Sequence, residues 1–276
     1  YGDVNSTVAA ALVCAKLGIR VGHVEAGLRS FDRAMPEEIN RLMTDQIADH
    51  LFTPSQDGDE NLLREGVPAA KIHFVGNVMI DTLVRLLPEA GRLWPRISSD
   101  LRLQDRRYGL VTLHRPSNVD VPAMLARIMS TLAEISHELP IVFPIHPRTR
   151  ERIAVNKIEI GDNGNLQLTD PVGYLDFLCL QQRARLVITD SGGIQEETTY
   201  LGVPCLTVRE NTERPVTVEL GTNTLVGQDM ALLREKTRHV LAGQARRGEI
   251  PPLWDGQAAA RIAAVVAGMN ASKGHG

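Results

Sequence analysis

The chain has 276 residues, of which 43% are hydrophobic, 23% charged and 4% aromatic, and a formal net charge of -3. That length accommodates two domains that each bury a core. The near-neutral balance gives no electrostatic reason to expect nucleic acid or an anionic membrane surface as a partner, and no apolar run reaches the roughly 20 residues of a membrane span.

The opening segment YGDVNSTVAAALVCAKLG reads as a strand end, a Gly-Asp turn and a helix capped by Asn5 or Ser6. The expectation is therefore a chain that begins inside a domain whose upstream strands are missing. From residue 19 short β-rich runs alternate with amphipathic helical segments: IRVGHV, a helix over 36–49, HLFTPS, a helix over 58–65, IHFVGN and a helix over 78–88. This alternation predicts a parallel α/β sheet. Residues 89–107 carry a proline and many charges without strand periodicity and read as a connection between domains. The alternation restarts with YGLVTLH, a helix near 120–138, PIVFPIH, NLQLTD, a helix near 172–182, RLVITD, a helix from 192 and VPCLTV.

Several predicted strands end in a polar residue and a turn: Asp3, His114, His146 and Asp190. Open parallel sheets bind ligands outside the carboxyl ends of their strands, so these positions are candidates for chemistry. In LVITDSGGIQEE, Ser191, Gly192 and Gly193 lead from a strand straight into a helix. Glycines admit close approach of backbone N–H groups, and the helix start carries partial positive charge, an arrangement suited to a phosphate or diphosphate. A carboxylate one turn further in, Glu196 or Glu197, is placed to accept from ribose hydroxyls. A plain strand-to-helix turn with Ser191 as N-cap serves equally well. The following loop, RENTERP, offers Arg209 and Arg214 to a diphosphate or simply to solvent. His114 with Arg115, and His146 with Arg148 and Arg150, form two histidine–arginine strand ends that suit an anion.

Rival chemistries lack their signatures. There is no GxGxxG, no GxxxxGK[ST] and no GxSxG. Cys14, Cys179 and Cys205 are odd in number, far apart and set in apolar stretches, which fits reduced core thiols in a cytoplasmic protein rather than disulfides or a metal knuckle. No metal and no cofactor is expected.

The stretch VEAGLRSFDRAMPEEINR, residues 24–41, is dense in charge. Pro36 suits a first helical turn, Glu37 complements the helix dipole, and Glu37 with Arg41 has the i, i+4 spacing of a surface ion pair. Glu25 is different: it follows an apolar strand directly, where burial would favour a neutral carboxyl group.

HVEAGLRS, PEEINR, TLHRPSN, SGGIQEE, TERP and DGQAAARI occur in family order. Through them the chain, from Gly2 to about residue 267, resembles the non-hydrolysing UDP-N-acetylglucosamine 2-epimerases. The resemblance implies an α/β, GT-B-like architecture of two Rossmann-like doubly wound domains facing a cleft. Residues 1–95 would form a first domain incomplete at its N-terminus. Residues 96–276 would form a UDP-binding domain, with the last helix packing back on the first. It implies interconversion of UDP-GlcNAc and UDP-ManNAc by anti elimination of UDP to 2-acetamidoglucal and re-addition, in a homodimer and without nicotinamide or metal. Carried over, the catalytic positions are Asp3, Glu25, Glu37 and His114. UDP falls to Ser191, Gly192, Gly193, Glu197 and Arg214, and a second UDP-GlcNAc or the diphosphate to Arg115 and His146. Glu38 and Asp32 remain as surface charge. Ser117 stands where many bacterial members carry an acidic residue, which leaves allosteric control open.

The family's N-terminal region supplies an active-site arginine and lysine, so the expectation is that the 276-residue chain alone is inactive and poorly stable. The rival readings are a GT-B glycosyltransferase that uses a UDP-sugar, a hydrolysing epimerase, and a UDP-sugar-binding protein without catalysis.

Overall fold

In the computed structural model, residues 1–161 and 164–271 are described; the tail from Ser272 lies outside the described residues. In chain order the elements are α1 (Asn5–Lys16), β1 (Gly22–Val24), α2 (Pro36–Ile47), β2 (His50–Thr53), α3 (Gln56–Arg64), β3 (Ile72–Phe74), α4 (Val78–Arg92), α5 (Trp94–Asp100), β4 (Gly109–Thr112), α6 (Pro116–Val119) and α7 (Pro122–Ser136). They continue with β5 (Ile141–Pro144), α8 (Pro147–Val155), β6 (Leu166–Thr169), α9 (Tyr174–Arg183), β7 (Leu186–Thr189), α10 (Gly192–Leu201), β8 (Cys205–Thr207), α11 (Val216–Glu219), β9 (Asn223–Leu225), α12 (Met230–Leu241) and α13 (Ala258–Ala271).

The chain divides into two compact units. The first comprises Tyr1–Arg85, Thr212–Val216 and the segment from Pro251, and the second Leu86–Asn211 and Thr217–Ile250. The division falls at 85/86 instead of 95/96, and residues 89–107 are no linker. Trp94 stacks on Tyr108 with ring centroids 6.1 Å apart, Arg96 pairs with Asp176 and Ile97 is buried, so α5 is packed into the second unit.

In the first unit β1, β2 and β3 form a parallel sheet in that order. Its buried apolar residues include a cluster of Ala26, Ala48, Leu51, Leu62 and Val67. Helix α1 begins after Val4 and takes no side-chain cap; the expected cap Asn5 instead accepts from Asn40 Nδ2 at 3.0 Å. Trp254 is buried and donates its indole N–H to the Pro54 carbonyl at 2.8 Å. Asp81 caps α13 by accepting from the Ala258 and Ala259 amides at 3.0 and 2.7 Å, so the C-terminal helix is tied to the first unit.

The second unit holds six parallel strands in the order β6-β5-β4-β7-β8-β9. The chain lays down β4, β5 and β6 in one direction and then returns to β7 on the other side of β4, the reversal that defines a doubly wound sheet. Strand β7, LVIT, is buried at every position, as a parallel strand covered on both faces must be. Leu125, Ile128, Met129 and Leu132 of α7 and Leu233 of α12 complete a single large core with it. Cys179 and Cys205 are buried and Cys14 is half-buried, all as free thiols. Among the described residues no helix is long and apolar enough to cross a membrane.

Candidate functional site

The candidate residues fall into two groups, one in each unit. In the second unit the switch of strand order lies between β4 and β7, whose residues pair up to Thr112 and Thr189. The first residues beyond these two strands include His114 and Asp190, and they meet. Asp190 is 0% exposed. Its carboxylate accepts from the His114 amide at 3.1 Å, the Arg115 amide at 2.9 Å and Asn118 Nδ2 at 3.0 Å. His114 Nδ1 lies 3.0 Å from Asp190 Oδ1, and the His114 side chain is 58% exposed. Burial alone would raise the Asp190 carboxyl; the hydrogen bonds and charge of His114, with Arg115 and Asn118, outweigh it and hold the group below its ordinary value. An ionised Asp190 only accepts, so His114 must present Nδ1–H to it, leaving Nε2 to give or take a proton at a ligand.

Ser191 stands as the N-cap of α10, in extended conformation and without a side-chain capping bond. Gly192 and Gly193 open the helix, partly exposed. One turn in, Glu197 is 2% exposed. Its Oε1 accepts from the Tyr174 hydroxyl at 2.8 Å, and the buried Gln181 side chain is a second hydrogen-bonding partner of the carboxylate. Burial raises the Glu197 carboxyl, and the side-chain hydrogen bonds of Tyr174 and Gln181 partly oppose the rise. His146 is exposed and caps α8 by accepting from the Arg148 amide at 3.2 Å. Arg115 adds a bond from Nε to the Asp190 carbonyl at 3.1 Å.

In the first unit Glu25 adopts φ 71, a left-handed backbone that is costly for a residue with a side chain and recurs at functional positions. The Glu25 and Ala26 amides both donate to the Phe52 carbonyl at 3.1 Å. Gly27, at φ 81, packs so closely that an added Cβ would sit 2.4 Å from the Gly58 carbonyl oxygen. The Glu25 carboxylate is not an isolated buried acid: Arg214 reaches its Oε1 at 2.7 Å and also pairs with Glu213. RENTERP is thus divided, with Arg209 in the second unit and Arg214 in the first.

Asp3 pairs with Arg41 at 2.6 Å. The expected Glu37–Arg41 pair does not form, because Arg41 turns instead to Asp3 and, at 2.7 Å, to Glu38. Glu37 is exposed at the first turn of α2. Glu38 is no surface charge: it is 1% exposed and accepts from the Ser30 amide, the Ser30 hydroxyl and the Phe31 amide at 2.9, 3.0 and 3.0 Å. Asp32 is half-buried and accepts from the Ala34 amide at 3.0 Å.

Beneath this layer lies a network that sequence reasoning missed. Asp45 contacts His23 Nδ1 at 2.6 Å, the Gly27 amide at 3.1 Å and Arg29 at 2.7 Å. Arg29 bridges on to Glu65 at 2.7 Å. Burial would lower the Arg29 guanidinium, but Glu65 and Asp45 outweigh it and keep it raised. His23 Nε2 lies 3.0 Å from the Gly2 carbonyl, so the network braces the backbone on both sides of Asp3 and Glu25. Asn118, Tyr174 and Arg41 were also missed. The i, i+3, i+7 spacing of Glu38, Arg41 and Asp45 was the one available signal, since it puts them on one helix face. Among the described residues no group of three or more His, Cys, Asp or Glu side chains could hold a metal.

A family model described as UDP-N-acetylglucosamine 2-epimerase matches residues 1–267. The UDP-N-acetylglucosamine 2-epimerase of Methanococcus maripaludis is 45% identical over 236 residues, covering 83% of this chain and 64% of the relative. The UDP-2,3-diacetamido-2,3-dideoxy-D-glucuronate 2-epimerase of Pseudomonas aeruginosa is 43% identical over 273 residues, 97% of this chain and 73% of the relative. The crystal structure of the Methanocaldococcus jannaschii UDP-GlcNAc 2-epimerase with UDP-GlcNAc and UDP is similar with a TM-score of 0.86 at 42% identity, over 96% of this chain and 74% of that one. The chain therefore spans between 64% and 74% of the length of these relatives.

Proposed function

The chain belongs to the UDP-N-acetylglucosamine 2-epimerase family, and from that premise we propose that the protein carrying it interconverts UDP-N-acetylglucosamine and UDP-N-acetylmannosamine, feeding surface polysaccharide precursors. In the proposed reaction a base takes the proton from C2, the C2–H electrons become the C1=C2 bond, and the C1–O bond breaks with its pair leaving on UDP. The intermediate is 2-acetamidoglucal. Return of a proton to the opposite face of C2 and of UDP to C1 completes the inversion.

The observation that carries this reading is the His114–Asp190 pair at the strand-order switch of the second sheet. A ligand of a doubly wound sheet binds at that switch, and a histidine oriented by a buried carboxylate there suits stabilisation of the charge that develops on a departing diphosphate. Ser191, Gly192 and Gly193 take the diphosphate in this reading and Glu197 the ribose. Asp3, Glu25 and Glu37 share the proton traffic at C2. Arg214, paired with Glu25, contributes to UDP binding. Arg115 and His146 serve the diphosphate or a second UDP-sugar, and the working form is a homodimer in the cytoplasm.

A second reading concerns the sugar alone. The Pseudomonas aeruginosa relative is named for a diacetamido glucuronate substrate, and the same C2 chemistry applies to any UDP-2-acetamido sugar. Incubation with UDP-GlcNAc and no acceptor tests both. The expected product is UDP-ManNAc without free UDP. Turnover only of the diacetamido glucuronate favours the second reading. Release of free ManNAc, or consumption only when an acceptor is supplied, rejects the epimerase without hydrolysis.

A further inference from the structure

His114 and Asp190 lie beyond the carboxyl ends of β4 and β7. At the opposite edge of the same sheet, where β4, β5 and β7 begin, lies a cavity of about 470 Å³, inside the range of small-molecule pockets, about 300–1,000 Å³. Its walls include four arginines: Arg102, Arg106 and Arg107 from the turn before β4, and Arg185 immediately before β7. Leu103, Leu139 and Leu241 give it an apolar side.

Among the described residues none of the four guanidinium groups is ion-paired with a carboxylate. The acids beside them are engaged elsewhere. Asp105 pairs with Arg183 at 3.2 Å, and Glu138, which lines the cavity, pairs with Arg238 at 3.4 Å. Two of the arginines are held by backbone carbonyls: Arg185 Nη2 donates to Val240 at 2.8 Å and to Leu241 at 3.3 Å, and Arg106 Nη1 donates to Ala184 at 3.2 Å. A carbonyl orients a guanidinium without neutralising it. Arg102 and Arg106 adopt φ 53 and φ 57, the left-handed region that is costly for a residue with a side chain and recurs at ligand clamps. In a chain of net charge -3, positive charge is thus gathered at one cavity without a counter-charge, and a cleft lined by one sign of charge focuses its field on the opposite one.

We propose that this cavity is an anion site separate from the one at His114 and α10, and that its ligand is a small molecule carrying a di- or triphosphate group. Phosphoryl oxygens match the guanidinium fork. The leucines beside the arginines offer an apolar surface to an organic body attached to the phosphoryl chain. The site does not depend on the epimerase reading.

Calorimetry with metal-free pyrophosphate and ATP tests this, on the protein carrying this chain and on its Arg102→Gln/Arg107→Gln variant. Both substituted residues are exposed, so the variant is expected to unfold at the wild-type denaturant midpoint. The wild type is expected to bind both anions, and the variant to bind them about tenfold or more weakly, the loss of two exposed charge contacts. Amide hydrogen exchange locates the ligand, which is expected to protect residues 102–107. ATP held more tightly than pyrophosphate assigns the site to a phosphoryl chain on an organic body; equal affinities assign it to the bare chain. Failure of both anions to bind overturns the proposal, as does an unchanged affinity in the variant or protection confined to residues 191–193. Sodium sulfate that reproduces the binding at equal ionic strength overturns it too, by reducing the arginines to a screened surface charge. Binding of RNA or anionic vesicles with neither small anion held also overturns it.

Discussion

Helices α2 and α10 both turn carboxylates into the protein, and they do so to opposite ends. On α2 the inward face carries Glu38, Arg41 and Asp45, and each of the three has partners at hydrogen-bonding distance. On α10 Glu197 is as deeply buried, yet its partners are the uncharged side chains of Tyr174 and Gln181. A buried ionic network whose members are satisfied is scaffold: it fixes backbone, here that of Gly2 to Asp3 and Glu25 to Gly27. A buried carboxylate held only by uncharged donors keeps a raised carboxyl. Burial alone does not separate the two; the charge of the partners does.

The largest effect that follows is on the scaffold. Asp45→Ala removes the carboxylate partner of His23 and one of the two carboxylates that hold Arg29, leaving Glu65, and removing one member of a buried pair costs about 3–5 kcal/mol. Denaturant unfolding is expected to show that loss in the first unit; a change below about 1 kcal/mol, the scale of exposed pairs, would reduce the network to decoration.

A smaller effect distinguishes the two sites of the second unit by pH. The Asp190 carboxyl is lowered in the folded state, so the unfolded chain binds its proton more tightly and stability rises with pH; the contribution is full above about pH 4 and is lost as pH falls through the lowered native value. The Glu197 carboxyl is raised, so the folded chain holds its proton more tightly and stability falls as pH climbs from about 4.3 toward the raised native value. Asp190→Asn is expected to remove the rise and Glu197→Gln the fall, read as unfolding free energy against pH. The same sign of change in both variants would contradict the assignment.

The smallest stability effect belongs to Glu37. It is exposed, and surface substitutions of this kind move stability by no more than about 0.5 kcal/mol. Glu37→Gln is therefore expected to unfold like the wild type while turnover of the UDP-sugar drops by about a hundredfold or more, the lower range for a general acid or base. Unchanged turnover would remove Glu37 from the proton pathway and leave it as a helix-start charge.

The comparison also explains what the sequence could reveal. The βα alternation was readable because buried parallel strands such as LVIT are continuous apolar runs bounded by turns, and both Rossmann-like units appear as the α/β pattern implied. His114 and Ser191 to Gly193 were readable because strand ends of a parallel sheet converge on one edge. The inner face of α2 was not, since hydrophobicity is silent where the buried residues are charged. Glu37 and Glu38 are neighbours in sequence with opposite fates, and only the rotation of the helix, about 100° per residue, tells them apart. The Tyr174–Glu197 contact joins two helices 23 positions apart and leaves no local pattern. The 89–107 segment misled for a related reason: its charges lie on the end of α4, on α5 and in the stretch that follows, and its few buried apolar residues, Ala90, Ile97 and Leu103 among them, are too sparse to register as a period.

The central claim is that the bond between C2 and its hydrogen breaks in every turnover. Proton NMR of UDP-GlcNAc incubated with the protein carrying this chain in deuterated water measures it directly. The account predicts that solvent deuterium replaces the C2 hydrogen in UDP-ManNAc, with the product's H2 signal absent from the first turnovers. UDP-ManNAc that forms with its original C2 hydrogen retained would contradict it.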